Sequence, residues 1–295
     1  MSKILCIVLL LSVLPGGPAI VRARGKSPDE RVPPPREVVY RKVGERELRL
    51  FVFEPPGFRP GDRRPCFLAI HGGGWGGGKP AWTHKLASWF ARRGMVGMSL
   101  EYRLYNRKAG VSVADCVRDA RSAVRYLRAH AAGLGIDPEK IVASGVSAGG
   151  HLAAGTALFD GIDEAGEDGA VSSRPAALVL FCPVLDTSAQ GYGFRKTGGQ
   201  WETLSAILRM RPGVPPTLVF HTKADTVVPY NGSVAFAGAM TREGNLCELI
   251  SYEEGKHCLM THDAGLLREA LGKTEDFLRR HGISAPREEG VSGGF

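Results

Sequence analysis

Short apolar runs alternate with amphipathic stretches along this chain, most regularly between residues 66 and 280. "CFLAI" (Cys66–Ile70) contains no polar position, as a strand covered on both faces requires. Further strands are read at "MVGMSLEY", "KIVASG", "AALVLFCPV", "TLVFHT" and "CELISY". Between them the period becomes helical. Ala114–Ala131 places Val117, Val124, Leu127 and Ala131 on one face. Further helices are expected over Trp82–Arg93, where Gly94 ends the pattern, over "AGGHLAAGTALF", over Asn231–Glu243 and over Ala264–Arg280. Upstream, "VVYRKVGERELRLFVFEP" holds two β-rich runs around Gly44-Glu45, which predicts a hairpin. "DGIDEAGEDGAVSSRP" reads as an acidic, Gly-rich loop, and Asp186–Pro216 as irregular chain with one short helix at Glu202–Met210.

Strands and helices taken in turn predict a mostly parallel sheet with helices on both faces. The expected organisation is a single α/β domain over residues 38–281, without internal repeats. Before it, "GKSPDERVPPPRE" is Pro-rich and charged, so residues 24–37 read as an extended lead-in. After it, residues 282–295 are polar and expected to be loose. The first 23 residues differ from all of this. Lys3, the apolar run Ile4–Leu14 and the small-residue site ending Val21-Arg22-Ala23 have the layout of a secretory signal peptide. The run is too short to span a bilayer comfortably. Export to the periplasm or medium, with cleavage near Ala23, is the expectation, and no membrane span is expected elsewhere.

Composition narrows the function classes. A chain of 295 residues with 43% hydrophobic and 23% charged positions is neither disordered nor fibrous. Its net charge is +8, or +6 (8 − 2) once Lys3 and Arg22 leave with the first segment. The basic residues are scattered and no aromatic-interleaved stripe appears, which argues against nucleic-acid binding. Beyond Cys6 there are five cysteines, Cys66, Cys116, Cys182, Cys247 and Cys258, widely spaced and odd in number. That is neither a disulfide framework nor a metal pattern. Most are expected to pack as small apolar residues, with room for one or two bridges whose pairing spacing does not disclose.

Candidate chemistry lies at strand ends. Gly145-Val146-Ser147-Ala148-Gly149 falls between a predicted strand and a predicted helix, where G-x-S-x-G forms a sharp turn that lifts the serine above the sheet edge. The following helix aims its N-terminus at the same place and favours negative charge there. "HGGGW" (His71–Trp75) follows an earlier strand, and a glycine loop lets backbone N–H groups approach a developing oxyanion. Gly73, Gly74 and Ala148 are the expected oxyanion-hole donors, with His71 anchoring the loop. A phosphate cradle is disfavoured, because the loop runs into Gly78-Lys79-Pro80 and lacks a Gly-Lys-Ser/Thr ending. A serine nucleophile needs a base, and the base an orienting acid. Asp225 just follows "TLVFHT", and His257 just follows "CELISY". The expected catalytic set is Ser147, Asp225 and His257. Asp186 is the rival acid and His262 the rival base. His151 is expected to pack, His221 lies inside a strand, Glu253 and Glu254 read as solvated loop charges, and Asp115 and Asp119 as surface charges one helical turn apart.

The order HGGGW…GVSAGGHLAA…DTVVP…H resembles the α/β-hydrolase esterases, in their hormone-sensitive-lipase-like and acetyl-esterase branch. "EYRL" (Glu101–Leu104) and "RYLRAHAAGLGIDPEKI" (Arg125–Ile141) resemble it too, so the likeness covers about residues 38–280. The resemblance implies an α/β-hydrolase fold, a Ser–Asp–His triad, an oxyanion hole from the HGGG loop and no cofactor; no metal site is expected either. The leading expectation is hydrolysis of short-chain, acetyl-type esters through an acyl-enzyme, the ester being a small molecule or one linked to a polysaccharide. An amidase, formamidase or exopeptidase would use the same triad, and a non-catalytic binding protein would be expected had a triad residue been replaced. Two departures stand out: Cys258 follows His257 where the family usually has glycine, and Thr222-Lys223 precedes Ala224-Asp225 where Gly-Thr is usual. Residues 184–216 are the only insertion long enough to cover the pocket, which suits short acyl groups on bulky alcohols. Trp75, Trp82 and Trp201 are candidates for stacking on a sugar, with core packing the commoner fate of tryptophan. Oligomeric state is not legible.

Overall fold

A computed structural model describes residues 34–284. The expected signal peptide, most of the lead-in and the end of the tail lie outside the described residues. Eight strands form one sheet: β1 (Arg36–Val43), β2 (Arg46–Phe53), β3 (Arg64–Ile70), β4 (Val96–Leu100), β5 (Ile136–Val146), β6 (Ala177–Phe181), β7 (Thr217–Thr222) and β8 (Cys247–Tyr252). Their spatial order is β1-β2-β4-β3-β5-β6-β7-β8. The β1–β2 hairpin and its junction with β4 are antiparallel, and every other pairing is parallel.

The helices are α1 (His84–Ala91), α2 (Val113–Ala129), α3 (Ala131–Leu134), α4 (Ala148–Leu158), α5 (Tyr230–Arg242), α6 (Leu259–His262) and α7 (Ala264–Arg280). The apolar runs become parallel strands because each of their residues has a layer to enter. In β3, Cys66, Leu68 and Ile70 pack with residues of α2, α4 and α5. Phe67 and Ala69 point the other way, among residues of α1 and α7. Burying each such Leu, Ile or Phe contributes about 1.5–3 kcal/mol relative to exposure. Among the described residues, no helix is long and apolar enough to cross a membrane.

Most expected elements appear within a few residues of their predicted limits. The differences have local causes. α2 begins at Val113 because Ser112 and Asp115 form a capping box, in which Asp115 N–H donates to the Ser112 hydroxyl and Ser112 N–H donates to the Asp115 carboxylate. The expected helix at Trp82–Arg93 splits into a 3-10 turn over Pro80–Thr83 and then α1. The helix expected at Glu202–Met210 is only a 3-10 turn, Ala206–Arg209. Packed chain continues past the expected boundary at 281, since Ile283 is buried and its N–H donates to Leu278 O.

Asp119 corrects the reading of α2 as carrying two surface acids. Its side chain is fully buried and accepts hydrogen bonds from both Arg103 and Arg41. Glu164, in the acidic loop, pairs with the same two arginines. This network ties β1 and the acidic loop to α2. Its partners are distant in sequence, so helical periodicity alone placed Asp119 on the wet face.

Candidate active site

The turn from β5 into α4 is the centre of the site. Ser147 has φ +56° and ψ −120°, a conformation that non-glycine residues rarely adopt. It is held there by its own peptide bonds. Ser147 N–H donates to Phe181 O (2.8 Å), and Ser147 O accepts from His151 N–H (3.2 Å) and Val184 N–H (3.3 Å). The flanking glycines are required sterically. A Cβ on Gly145 would lie 2.1 Å from Gly149 O, and one on Gly149 would lie 2.2 Å from Ile70 O. The helix therefore passes directly over the strand end, and the serine is pushed up at the crossing.

Two further strands deliver their residues to the same sheet edge. Asp225 lies three residues beyond β7, and His257 five residues beyond β8. The imidazole spans the gap: its Nε2 is 2.9 Å from Ser147 Oγ and its Nδ1 is 2.6 Å from Asp225 Oδ2. A neutral ring donating from Nδ1 to the carboxylate and accepting the serine proton at Nε2 satisfies both bonds. The acid is strongly held. Asp225 Oδ1 accepts from Val227 N–H and Val228 N–H, both at 2.9 Å, while Oδ2 accepts from His257 and from His221 Nε2 at 3.2 Å. Burial by itself would raise the Asp225 pKa. The donors from His221, His257, Val228 and Val227 outweigh it and hold the carboxyl well below the usual carboxylate range.

His221 is the residue that sequence reasoning missed. It is completely buried at the end of β7, and its Nε2 faces both Asp225 Oδ2 and Val228 O. Its Nδ1 lies 2.7 Å from Ser233 Oγ on α5. One arrangement satisfies all three contacts: Nε2–H donates to the two oxygens and the Ser233 hydroxyl donates to Nδ1. The signal was a histidine in an otherwise apolar strand four residues before the acid.

The glycine loop lies against the elbow. A Cβ on Gly72 would be 2.8 Å from Val146 O and 3.1 Å from Ser147 Cβ. His71 anchors the loop: it is buried, its Nδ1–H donates to Gly72 O (2.8 Å), and its ring stacks on Tyr102. Burial lowers its pKa to about 4, against a smaller opposing effect of the Gly72 carbonyl, so the ring is a neutral strut at ordinary pH. Gly73 and Gly74 both have positive φ, +113° and +57°. The carbonyls of this loop are engaged: Gly73 O accepts from Gly77 N–H, Gly74 O from Lys196 Nζ, and Trp75 O from Tyr105 N–H. The N–H groups of Gly73 and Gly74 have no partner among the described residues. Ala148 is the first residue of α4, so its N–H has no acceptor within the helix.

The remaining candidates fall elsewhere. Asp186 accepts from Ser188 N–H in a local turn (2.8 Å) and makes no bond to His257. His151 is buried, accepting from Trp75 Nε1–H (3.2 Å) and donating to Leu204 O (2.8 Å). Burial lowers its pKa to about 4. Trp75 is thus core, while Trp82 is exposed. His262 closes α6, and the base position is taken by His257. Glu253 is exposed and pairs with Lys223. Among the cysteines, Cys66 and Cys116 are buried and free, as expected. Cys182 and Cys258 are not: they form a disulfide, with Cα atoms 5.5 Å apart. Cys182, His257 and Cys258 offer potential ligand atoms within 4.8 Å of one another, but the joined sulfurs are not available as a thiolate pair.

A parallel sheet carrying a strained serine at a strand–helix elbow, with an acid and a histidine from later strand ends, defines a serine hydrolase of the α/β-hydrolase fold. Comparison with known proteins agrees. The BD-FAE family model matches residues 55–180. Esterase 2 of the planctomycete Thermogutta terrifontis, solved phosphoramylated by tabun, is 40% identical with a TM-score of 0.82, covering 87% of this chain and 98% of that one. Esterase LipQ of Mycobacterium tuberculosis is 27% identical over 72% of this chain and 53% of its own length. An acetylxylan esterase of Xylanibacter ruminicola is 24% identical over 72% of this chain and 44% of its own. The chain spans about half the length of the curated relatives it matches. It belongs to the α/β-hydrolase esterases, which are serine carboxylic ester hydrolases.

Proposed function

We propose that the protein hydrolyses esters of short acyl groups, acetyl to butyryl, through an acyl-enzyme on Ser147. His257 Nε2 takes the hydroxyl proton as the oxygen attacks the ester carbonyl, and then returns it to the leaving alkoxide. Asp225 keeps the Nδ1–H tautomer and stabilises the imidazolium formed in each half-reaction. The N–H groups of Gly73, Gly74 and Ala148 receive the oxyanion. Water, activated by the same imidazole, releases the acid. The observation that carries this reading is the continuous hydrogen-bonded line from Ser147 Oγ through His257 to Asp225, at 2.9 and 2.6 Å.

The substrate class rests on two supports. Esterase 2 has been solved with propionate and with butyrate bound, and the relative from Xylanibacter is an acetylxylan esterase. Residues 186–216, the longest irregular segment near the site among the described residues, are tied down through Lys196 to Gly74 and through Leu204 to His151, which suits a shallow acyl pocket and a large alcohol. The natural ester is then an acylated carbohydrate met outside the cytoplasm, the N-terminal segment acting as the export signal. Ser147→Ala should abolish turnover of p-nitrophenyl acetate while leaving the melting temperature within a few degrees of wild type. A p-nitrophenyl series from acetate to decanoate, with acetylated xylan and an aminoacyl anilide alongside, reads acyl length, polymer use and bond type. A preference for decanoate or for the anilide would refute the substrate assignment. N-terminal sequencing of protein exported by an expression host tests removal of the first 23 residues.

A further inference from the structure

We propose that the Cys182–Cys258 disulfide positions the base: by tethering the loop that carries His257 to the peptide frame of Ser147, it sets the rate of turnover. The inference rests on the catalytic reading above. His257 stands at the end of a five-residue arch from Glu253 to His257, between β8 and α6. Residues 253–256 are irregular chain, and a hydrogen-bonded turn at His257 and Cys258 leads into α6. Before the arch Lys223 N–H donates to Tyr252 O, and after it Thr261 N–H donates to Cys258 O. The imidazole thus reaches its partners from irregular chain, and the next residue after it is the bridged Cys258.

The other end of the bridge is fixed. Cys182 N–H donates to Phe220 O at 2.7 Å. Its preceding neighbour Phe181 accepts the Ser147 N–H, and Val184, two residues on, donates to Ser147 O. Cys182 therefore lies within the segment that clamps the nucleophile's peptide on both sides. The bridge joins base and nucleophile through a frame shorter than the sheet, and Cys258 Sγ comes within 3.4 Å of His257 Nε2, the nitrogen that faces Ser147. Both bridged residues have positive φ, +41° at Cys182 and +56° at Cys258. A packing side chain gains nothing from that backbone. Glycine adopts it freely, so a cysteine at 258 is explained by the bond it makes. Neither sulfur touches substrate or moves a proton, so these are positioning residues.

The test compares three tethers at temperatures at least 15 °C below each measured melting point. Wild type is assayed oxidised and after reduction by a dithiol, which passes two electrons and two protons to the bridge, leaves two thiols and becomes a cyclic disulfide. Cys182→Ala removes the bridge without a reductant. Cys258→Gly removes it while leaving residue 258 comfortable at positive φ. Without the tether, kcat for p-nitrophenyl acetate should fall about 10- to 100-fold, with KM changed less than about threefold, since misplacing a catalytic group by about 1 Å costs that order of rate. The rate of Ser147 labelling by a fluorophosphonate should fall by the same factor, and reoxidation should restore the wild type. A kcat within threefold of the oxidised enzyme in Cys182→Ala, or full activity in Cys258→Gly, would overturn the proposal. Ser147→Ala, inactive in either redox state, separates the two readings: residual turnover there would sink the catalytic assignment itself, whatever the bridge does.

Discussion

Replacing Gly145 with alanine tests how much of the reaction depends on the crossing of β5 and α4. The new methyl would lie 2.1 Å from Gly149 O, 2.2 Å from Gly149 C and 2.6 Å from Gly150 N. Ordinary contact begins near 3.4 Å, so the obstructing backbone must retreat by 3.4 − 2.1 = 1.3 Å. Those atoms form the first turn of α4, which cannot retreat without carrying the Ala148 N–H away from the oxyanion position. A displacement of about 1 Å at a catalytic group costs about 100-fold in rate, equivalent to about 2.7 kcal/mol of transition-state stabilisation. Overpacking of this kind destabilises a fold by about 1–3 kcal/mol. Urea unfolding should therefore show a folded but weakened variant, and kcat/KM for p-nitrophenyl acetate should drop by about two orders of magnitude. Gly133→Ala is the control, because a Cβ there meets nothing within 4 Å and the residue has no positive φ. It should be neutral or slightly stabilising in both assays. A Gly145→Ala enzyme within threefold of wild type would show that the elbow tolerates the movement, and the steric account of this turn would be wrong.

Asp225→Asn should lower kcat by about 10⁴, because the amide favours the wrong imidazole tautomer. The same variant reads the pH dependence of stability. The folded-state pKa of Asp225 is depressed, so its ionised form stabilises the protein fully above about pH 4, and that contribution is lost as the pH falls toward the folded value. Urea midpoints measured from pH 6 down to pH 2.5 should fall less steeply for Asp225→Asn than for wild type; parallel curves would contradict the depressed value. Asp119→Ala leaves Arg41 and Arg103 without their shared buried carboxylate and should cost about 3–5 kcal/mol in urea unfolding. A loss below about 1 kcal/mol, as for a surface pair, would mean that the network is a solvated one.

The sheet was legible in the chain because inner strands such as β3 and β6 carry apolar runs with no polar face: "CFLAI" needs two apolar layers, and only a helix-covered sheet supplies both. The elbow was legible because steric crowding demands glycine at 145 and 149, and no other residue substitutes silently. Asp225 and His257 followed from strand ends and chain order. What was hidden depends on distant pairings. Asp119 looked solvated because its cations lie 16 and 78 residues away in sequence. The disulfide closes a separation of 76 residues, over which spacing carries no pairing information. His221 was visible as a histidine in an apolar strand, but its role appears only once β7 and the Asp225 turn bring the two side chains together. The start of β5 at Ile136 was concealed by Asp137-Pro138, which reads as a turn.

The half-buried free thiol at Cys247 gives the bridge a competitor whenever the chain is unfolded. Cys247 is 258 − 247 = 11 residues from Cys258, against 76 for the native partner Cys182. Loop-closure statistics scale as the −3/2 power of length, so a random chain joins the near pair about twentyfold more often than the native one. Oxidative refolding would therefore accumulate a mispaired species first, and recovery would depend on exchange through the thiol left free at Cys182. A host compartment with disulfide isomerase activity, or a Cys247→Ser variant, removes that detour and should raise the yield of correctly bridged protein.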